Sequence, residues 1–498
     1  KKDKGAFLVA GRSSYAHLFL KLTDNENSAY FYDLNTKLNY EINEKNNLFV
    51  SGYFGRDVFS LSNSFVNTYG NSILNLRWNH LFSNKLFSNA SFIYSDYYYG
   101  LKIDFVGFNW DSGIKNYNFK YDLKHYLSDK TKLTYGLNAV YYDFNPGKIE
   151  PIDETSGINP AQLDKKYAFE PAMYFDIEQT LNDKITFNAG LRYSSFLRLG
   201  NQTINTYANN QAVTYNEAFN IYEKATPTGT ETFGKNKTIA SYGNFEPRFG
   251  IAYSLNEETS VKGSYNRMAQ YLHLISNTQS PTPLDVWAPS GTFLKPQILD
   301  QFAVGYFKNI DNGKYTLEVE SFYKKIQNRL DYIDGADLIA NNAIEQVVLA
   351  GRARAYGLEV LFKKNEGNLN GWVSYTLSRS EQQTAGRTAN EVGINNGKWY
   401  KTGWDKLHNL SVTGIYELNE KWKFGSIFSL QSGQPVTYPN GQYQYQGLTV
   451  PSYSLRNENR LPTYHRLDIS ATLTPRKNIN RKVKGEWVFS IYNLYNRR

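Results

Sequence analysis

Six histidines are the first residues in this chain that could do chemistry: His17, His80, His125, His273, His408 and His465. They are dispersed, with no His-x-x-x-His or comparable spacing that would hold a metal ion. His408 and His465 fall in alternating runs, where a hydrogen-bonded histidine is the plain expectation. There is no nucleophile elbow and no phosphate-binding glycine loop. Glu318 and Glu320 share the polar face of one strand-like run, which reads as wall charge rather than an acid–base pair. The expectation is a chain with no catalytic residue, no metal site and no cofactor, and not an enzyme.

Residues suited to binding are easier to find. Tyr97, Tyr98 and Tyr99, followed by Trp110, fall at the outer end of one hairpin, either as an aromatic platform facing a ligand or as part of an interface girdle. Asp285, Trp287, Trp399 and Trp404 lie in long connections and are further ligand-binding candidates. Arg352 and Arg354, near the outer end of their strand, suit an anionic ligand or a carboxylate on the inside of the wall.

The elements that must position these residues show a period of two. Tyr117, Phe119, Tyr121 and Leu123 alternate with Asn118, Lys120, Asp122 and Lys124. Leu74, Leu76 and Trp78 alternate with Asn75, Arg77 and Asn79. Leu467, Ile469, Ala471 and Leu473 do so with Arg466, Asp468, Ser470 and Thr472. A strand separates such residues onto two faces, which a helix cannot do. Charge on the second face points to a hydrated lumen rather than a packed sandwich.

Short polar turns recur at 43–46, 83–85, 128–130, 182–184, 256–258, 311–314, 365–368 and 419–421, each joining two alternating runs. Between them lie longer connections, the longest around 144–166, 201–240, 271–296, 326–350, 381–403 and 434–461. Tight turns alternating with long loops are the topology of an outer-membrane barrel. The runs number about nineteen. Lys2-Asp3-Lys4-Gly5 reads as a turn after an earlier strand, and the outward-pointing last run needs two more to return, so about twenty-two are expected in the full protein. The fold expected is an all-β, antiparallel transmembrane β-barrel. Residues 1–498 form one barrel domain that lacks an N-terminal plug, the first strand and the last strands.

Composition agrees. Of 498 residues, 41 are Tyr, 30 Phe and 8 Trp, with no Cys. A soluble core has no room for so many aromatic rings, whereas the girdles of a membrane barrel use them. A carbohydrate-binding or adhesive β-protein is the alternative that the repeat pattern disfavours. Mean hydropathy is −0.56, and no apolar stretch reaches the roughly 20 residues of a membrane helix. The net charge of +9 is spread over strands and turns without a basic helix, so nucleic acid is not an expected partner.

A series of short motifs then carries a family likeness. In order they are Glu246-Pro247-Arg248-Phe249-Gly250, Ser264-Tyr265-Asn266-Arg267-Met268, Pro283-Leu284-Asp285-Val286-Trp287 and Lys295-Pro296-Gln297. Ala355-Tyr356-Gly357-Leu358-Glu359, Ser432-Gly433-Gln434-Pro435, Tyr464-His465-Arg466-Leu467-Asp468 and Tyr492-Asn493-Leu494-Tyr495-Asn496 follow. With them the chain resembles the TonB-dependent outer-membrane receptors, particularly the Bacteroidetes type, along nearly all its length.

The resemblance implies a Gram-negative outer-membrane location. It also implies import of a scarce siderophore, glycan or peptide, driven by TonB acting on a plug inside the barrel. Expected partners are outer-membrane lipid and TonB through that plug, with a surface lipoprotein or a larger outer-membrane complex as further candidates. The rival reading is a non-transporting barrel subunit of an assembly or secretion complex. A passive porin is disfavoured by the strand count.

Overall fold

The computed structural model describes residues 4–14, 27–62, 64–276, 286–338, 341–475 and 485–497. Asp285 and His17 lie outside the described residues, as do Lys2 and Asp3 of the first expected turn. One antiparallel sheet forms the wall. Its first seven strands are Gly5–Ser13, Ser28–Asn43, Asn46–Leu61, Phe65–Ser83, Leu86–Ile103, Phe108–Ser128 and Thr131–Pro151. Next come Lys166–Asn182, Ile185–Leu199, Thr238–Ser254, Thr259–Gln270, Gln297–Ile310 and Tyr315–Tyr332. Val348–Lys364, Leu369–Gln383, His408–Glu417, Trp422–Gln431, Tyr464–Leu473 and Trp487–Ile491 complete it. Each pairs with the next in chain order. These nineteen wall strands among the described residues coincide with the alternating runs. Many climb past the sequence-derived limits at their outer ends, as Thr131–Pro151 does.

The tight turns have a shared chemistry. The side-chain oxygens of Asn43, Asn182, Asn256 and Asn419 each accept the backbone N–H two residues on, at 2.9–3.0 Å. Ser83 and Ser128 do the same with their hydroxyls at 3.3 Å. Such a side chain closes a turn on its own backbone and satisfies a donor that the ladder leaves over.

The register sorts the two faces. Leu38, Val50, Leu76, Phe92 and Phe119 lie on one face of adjoining strands. Asn75, Arg77, Asn118 and Lys120 lie on the other. Large apolar side chains all along the first face are exposed, among them Leu34, Trp78, Leu137, Phe175, Phe249, Val304 and Phe362. In water so large an apolar surface would drive aggregation; against hydrocarbon it is what holds the sheet in place. No helix among the described residues is long and apolar enough to cross a membrane, which says nothing of strands.

This outward apolar band ends at a sharp level. Asp300, Lys325, Arg354 and Arg379 each sit ten residues from the tight-turn ends of their strands at Ile310, Tyr315, Lys364 and Leu369. Ten residues of a strand tilted about 40° rise roughly 25 Å, the height of the lipid-facing band of such barrels. Apart from Lys308 and Lys364 at the tight-turn ends, these are the first charges on the outward faces of their strands, and they mark the outer edge of the hydrocarbon.

Two strand glycines differ in how firmly sterics hold them. A Cβ on Gly357 would stand 2.7 Å from the Leu377 carbonyl oxygen, which is backbone and cannot give way, whereas one on Gly250 would meet the Asn188 side-chain amide, which can turn aside. Pro247 lies inside its strand, and the ladder to Thr259–Gln270 stops beside it, at Arg248–Asn266.

Candidate ligand site in the extracellular cap

The long connections fold together above the wall. They contribute the hairpins Gln202–Tyr207 with Pro227–Phe233, Val213–Asn216 with Ile221–Lys224, Leu272–Ile275 with Val286–Pro289, and Pro439–Tyr445 with Leu448–Tyr453. Val213, Ile275, Val286, Leu294, Ile333, Leu338, Ile344, Val347 and Ile394 form a buried apolar cluster drawn from four of these connections. Burying such side chains contributes about 1.5–3 kcal/mol each, so the loops make a folded cap with its own core.

Ionic and polar ties cross the cap. Asp331, almost fully buried, accepts from Arg456 Nη1 at 2.8 Å, from Gln382 Nε2 at 2.8 Å and from the Tyr400 hydroxyl. Arg456 also reaches Asp334, donates to the Tyr332 carbonyl at 2.8 Å and lies over the Tyr332 ring at 4.3 Å. Asp405 is held by Arg460 and by the Ser380 N–H at 2.6 Å. Burial works to raise the Glu391 carboxyl, but the Arg387 guanidinium, 2.8 Å away, outweighs it and holds the group below its usual range. Burial, aided by Glu345, pushes the Tyr207 phenol up to about 12, so it remains a donor to that carboxylate at 3.1 Å.

Two cavities open within this cap. One of about 260 Å³ is lined by Lys166, Arg198, Gln202, Phe293, Asp164 and Glu345, among others. Lys166 and Arg198 are 8% and 5% exposed and lie on the inward face. Arg198 donates to the Tyr167 and Leu199 carbonyls at 2.9 and 2.6 Å and to the Gln202 amide oxygen. Among the described residues neither cation has a carboxylate within ion-pair distance. A second cavity of about 110 Å³ is lined by His273, Gln297, Arg329, Asp331, Trp404 and Arg456. Asp164 and Glu345 offset the Lys166 charge only at a distance; a buried cation without a direct ion pair is costly, and an incoming carboxylate or phosphate lowers that cost.

The sequence-derived candidates are divided among three places. Trp110 is buried with Leu101 and Leu163 beneath the connection that follows Thr131–Pro151, and Tyr99 is 8% exposed. Tyr98 points outward at the top of the lipid band, near Arg56, and donates to Asp111 at 2.8 Å; Tyr97 shares the inward side with Tyr99. Arg352 and Arg354 do not face the lumen. They are in register with Gln383 and Glu381 on the outward face, and Trp399 packs over them at 5.3 and 4.2 Å. Arg354 pairs with Glu381 at 2.7 Å. The reason is parity: both share the face of Tyr356, Leu358 and Phe362.

Trp287 is half-buried in its hairpin, and Trp404, 56% exposed, lies 5.1 Å from the Arg329 guanidinium at the second cavity. Of the ten candidates, Trp404 is the one that lines either cavity among the described residues. Sequence reading missed Lys166, Arg198, Arg329, Asp331 and Arg456. The available signal was the density of aliphatic residues in connections such as 333–349, too apolar for a solvated loop.

His408 and His465 are hydrogen-bonded in the wall, to Tyr375 and Tyr495, each at 2.8 Å. Among the described residues no group of three or more histidines and carboxylates could hold a metal.

A nineteen-strand antiparallel wall, greasy outside and polar inside, closed over by folded loops on one end, defines an outer-membrane receptor barrel. Residues 10–494 match the family model "TonB dependent receptor-like, beta-barrel", and the chain belongs to that family. Family membership makes it an outer-membrane β-barrel. Among solved structures it is similar to the ferric-catecholate import receptor Fiu from E. coli K12, at 12% identity and a TM-score of 0.64, covering 100% of this chain and 74% of that one. It is likewise similar to the copper transporter OprC, at 10% identity and a TM-score of 0.64, covering 99% and 70%. A third is the ferripyoverdine receptor of Pseudomonas aeruginosa bound to ferripyoverdine, at 13% identity and a TM-score of 0.62, covering 99% and 64%. At such identities the likeness concerns the fold. No curated protein sequence matches the chain.

Proposed function

We propose that this chain is the barrel domain of a longer, TonB-dependent receptor of the Bacteroidetes type that imports a scarce ligand into the periplasm. A plug in the polar lumen would couple it to TonB, and a surface lipoprotein or larger outer-membrane complex could complete the machine. Lys166 and Arg198, buried beside a cavity in the cap that Asp164 and Glu345 also line but without a direct ion pair to either, carry the reading. They suit a ligand that presents a carboxylate or similar anion, as a siderophore, an acidic glycan or a peptide C-terminus does. The solved neighbours described as a ferric-catecholate import receptor, a copper transporter and a ferripyoverdine receptor lend support to scarce-nutrient import.

The test is growth and uptake on limiting iron sources, acidic glycans and peptides. Strains compared would carry the native gene, a deletion, or Lys166→Gln with Arg198→Gln. Import predicts a TonB-dependent defect on one ligand class in the deletion, reproduced in the double variant with surface protein at normal level. If no nutrient distinguishes the deletion and the protein instead co-purifies with a large assembly, the chain is a scaffold barrel and the proposal fails.

A further inference from the structure

Strict alternation would place Arg329 on the lipid side of the wall. Lys325 and Gln327 stand there, opposite Arg354 and Arg352 on the neighbouring strand. The register then slips: Gln327 pairs with Arg352, Arg329 with Gly351, and Asn328 is left unpaired between them. Asn328 has a φ of 55°, a left-handed conformation that asparagine tolerates, and its Nδ2 donates to the Pro296 carbonyl at 2.8 Å. This one extra residue turns Arg329 to the inward face, the face of Asp331, at the cavity of about 110 Å³.

There the guanidinium is enclosed without an acceptor. Its Nε is buried and has no hydrogen-bond partner among the described residues. Asp331 is the one carboxylate among the described residues that line the cavity, and its oxygens are already taken. Oδ1 accepts from Arg456 and the Tyr332 N–H, and Oδ2 from Gln382 and the Tyr400 hydroxyl. Both ring nitrogens of His273 are engaged as well, with Ser290 and Gln297. Trp404 covers the Arg329 guanidinium at 5.1 Å. Burial pulls that guanidinium below its usual range. Arginine carries five donors in one plane, and leaving them dry is costly. A bulge that gives up a ladder position to aim such a group into a cavity points to a ligand.

We propose that this cavity holds a small oxyanion, a carboxylate or a phosphate, on the fork of Arg329. An Nε–H beside an Nη–H matches two oxygens of one anion, which chloride does not have. Arg329 and Arg456 face it against Asp331 alone, so one negative charge balances the lining. A space of about 110 Å³ is well below the roughly 300–1,000 Å³ of sites for drug-sized ligands, so the occupant is not a chelate or an oligosaccharide. His273, Arg329, Gln382 and Arg456 come from four different connections, which a bound oxyanion would tie together. The site does not depend on what the barrel imports.

The experiment uses the barrel purified from membranes in mild detergent and passed into Tris chloride free of oxyanions. Hydrogen exchange of residues 272–275 and 329–333 is followed as phosphate or acetate replaces chloride at constant ionic strength. One or both should slow exchange there roughly tenfold, the order expected of one charge-assisted bond. Which of them acts distinguishes an inorganic phosphate from a carboxylate. Raising chloride alone should change nothing. Arg329→Gln should lose the protection, and so should Arg329→Lys, which keeps the charge without the fork; Lys166→Gln, at the other cavity, should retain it. In oxyanion-free buffer Arg329→Met should exchange no faster than native protein, because the arginine then has no partner to lose. Heat-modifiable gel mobility checks that each variant is folded. No protection by either oxyanion, equal protection by chloride, protection that survives in folded Arg329→Gln, or faster exchange of Arg329→Met without oxyanion would each overturn the assignment.

Discussion

The wall and the cap are held together by opposite means. All four clusters of buried apolar residues among the described residues lie in the loops or at the outer ends of strands. Below that level the wall is one layer of backbone ladders, apolar toward lipid and wet within, and the bilayer stands in for a core. The cap is organised like a small soluble domain: packed aliphatics, desolvated ion pairs, buried phenols. A barrel of this kind separates the part that must survive in lipid from the part that must recognise something. The two should therefore respond to substitution independently.

The largest expected separation is at Asp331. Replacing it with Ala leaves Arg456, Tyr400 and Gln382 facing a buried vacancy, and removal of one partner of a buried pair costs about 3–5 kcal/mol. Hydrogen exchange and limited proteolysis should show the loops around 331–349 and 446–463 opening, while heat-modifiable mobility of the barrel stays native. If the wall unfolds with the cap, the two are one cooperative unit and the contrast is lost. In the other region, Leu76→Arg puts a charge in mid-wall on the lipid face and should destabilise the barrel by about 2–4 kcal/mol. Asn75→Arg, one residue away on the wet face, should leave denaturant stability almost unchanged. Equal costs would mean that the faces are assigned wrongly.

Acid separates the regions through one histidine. His273 is 1% exposed, with Ser290 Oγ 3.0 Å from Nε2 and Gln297 Nε2 3.1 Å from Nδ1. Burial, with Arg329 nearby, pulls its pKa down from 6.5 to about 4. The folded cap binds this proton more weakly than the unfolded loop does. The contribution is therefore complete above about pH 6.5 and falls as pH drops toward 4, by about 3 kcal/mol at most. Cap opening followed by hydrogen exchange should steepen across that window, and His273→Gln should flatten the response.

Legibility in the sequence divides along the same line. Period-two runs such as Tyr117–Lys124 reveal a wall strand because Tyr117, Phe119, Lys120 and Tyr121 meet neighbours of their own polarity across the ladder, so local pattern and tertiary environment agree there. Face parity was readable too: Arg352 and Arg354 share a period with Tyr356 and Leu358, which puts them outside. The cap has no such period. Asp331 meets Arg456, and Tyr207 meets Glu345, across more than a hundred residues of intervening chain. Nothing local marks either pairing. Trp110 misleads for the same reason, since an aromatic at a strand tip looks available until Leu163 folds over it.

The smallest effect tests the wall at its simplest point. Asn182 Oδ1 accepts the N–H groups of Lys184 at 2.9 Å and Ile185 at 3.0 Å, and Asn419 does likewise for Lys421 and Trp422. Asn182→Ala removes both acceptors, but the freed donors are exposed at the turn and water replaces them. The cost should be about 0.5–1 kcal/mol in barrel stability, with the cap's proteolysis pattern and ligand retention unaltered. Asn182→Asp keeps the acceptor and should restore most of the loss. If the alanine variant instead shifts the register of Lys166–Asn182 against Ile185–Leu199, Lys166 and Arg198 would no longer share a cavity. The turn would then be setting the geometry of the cap from the far end of the wall.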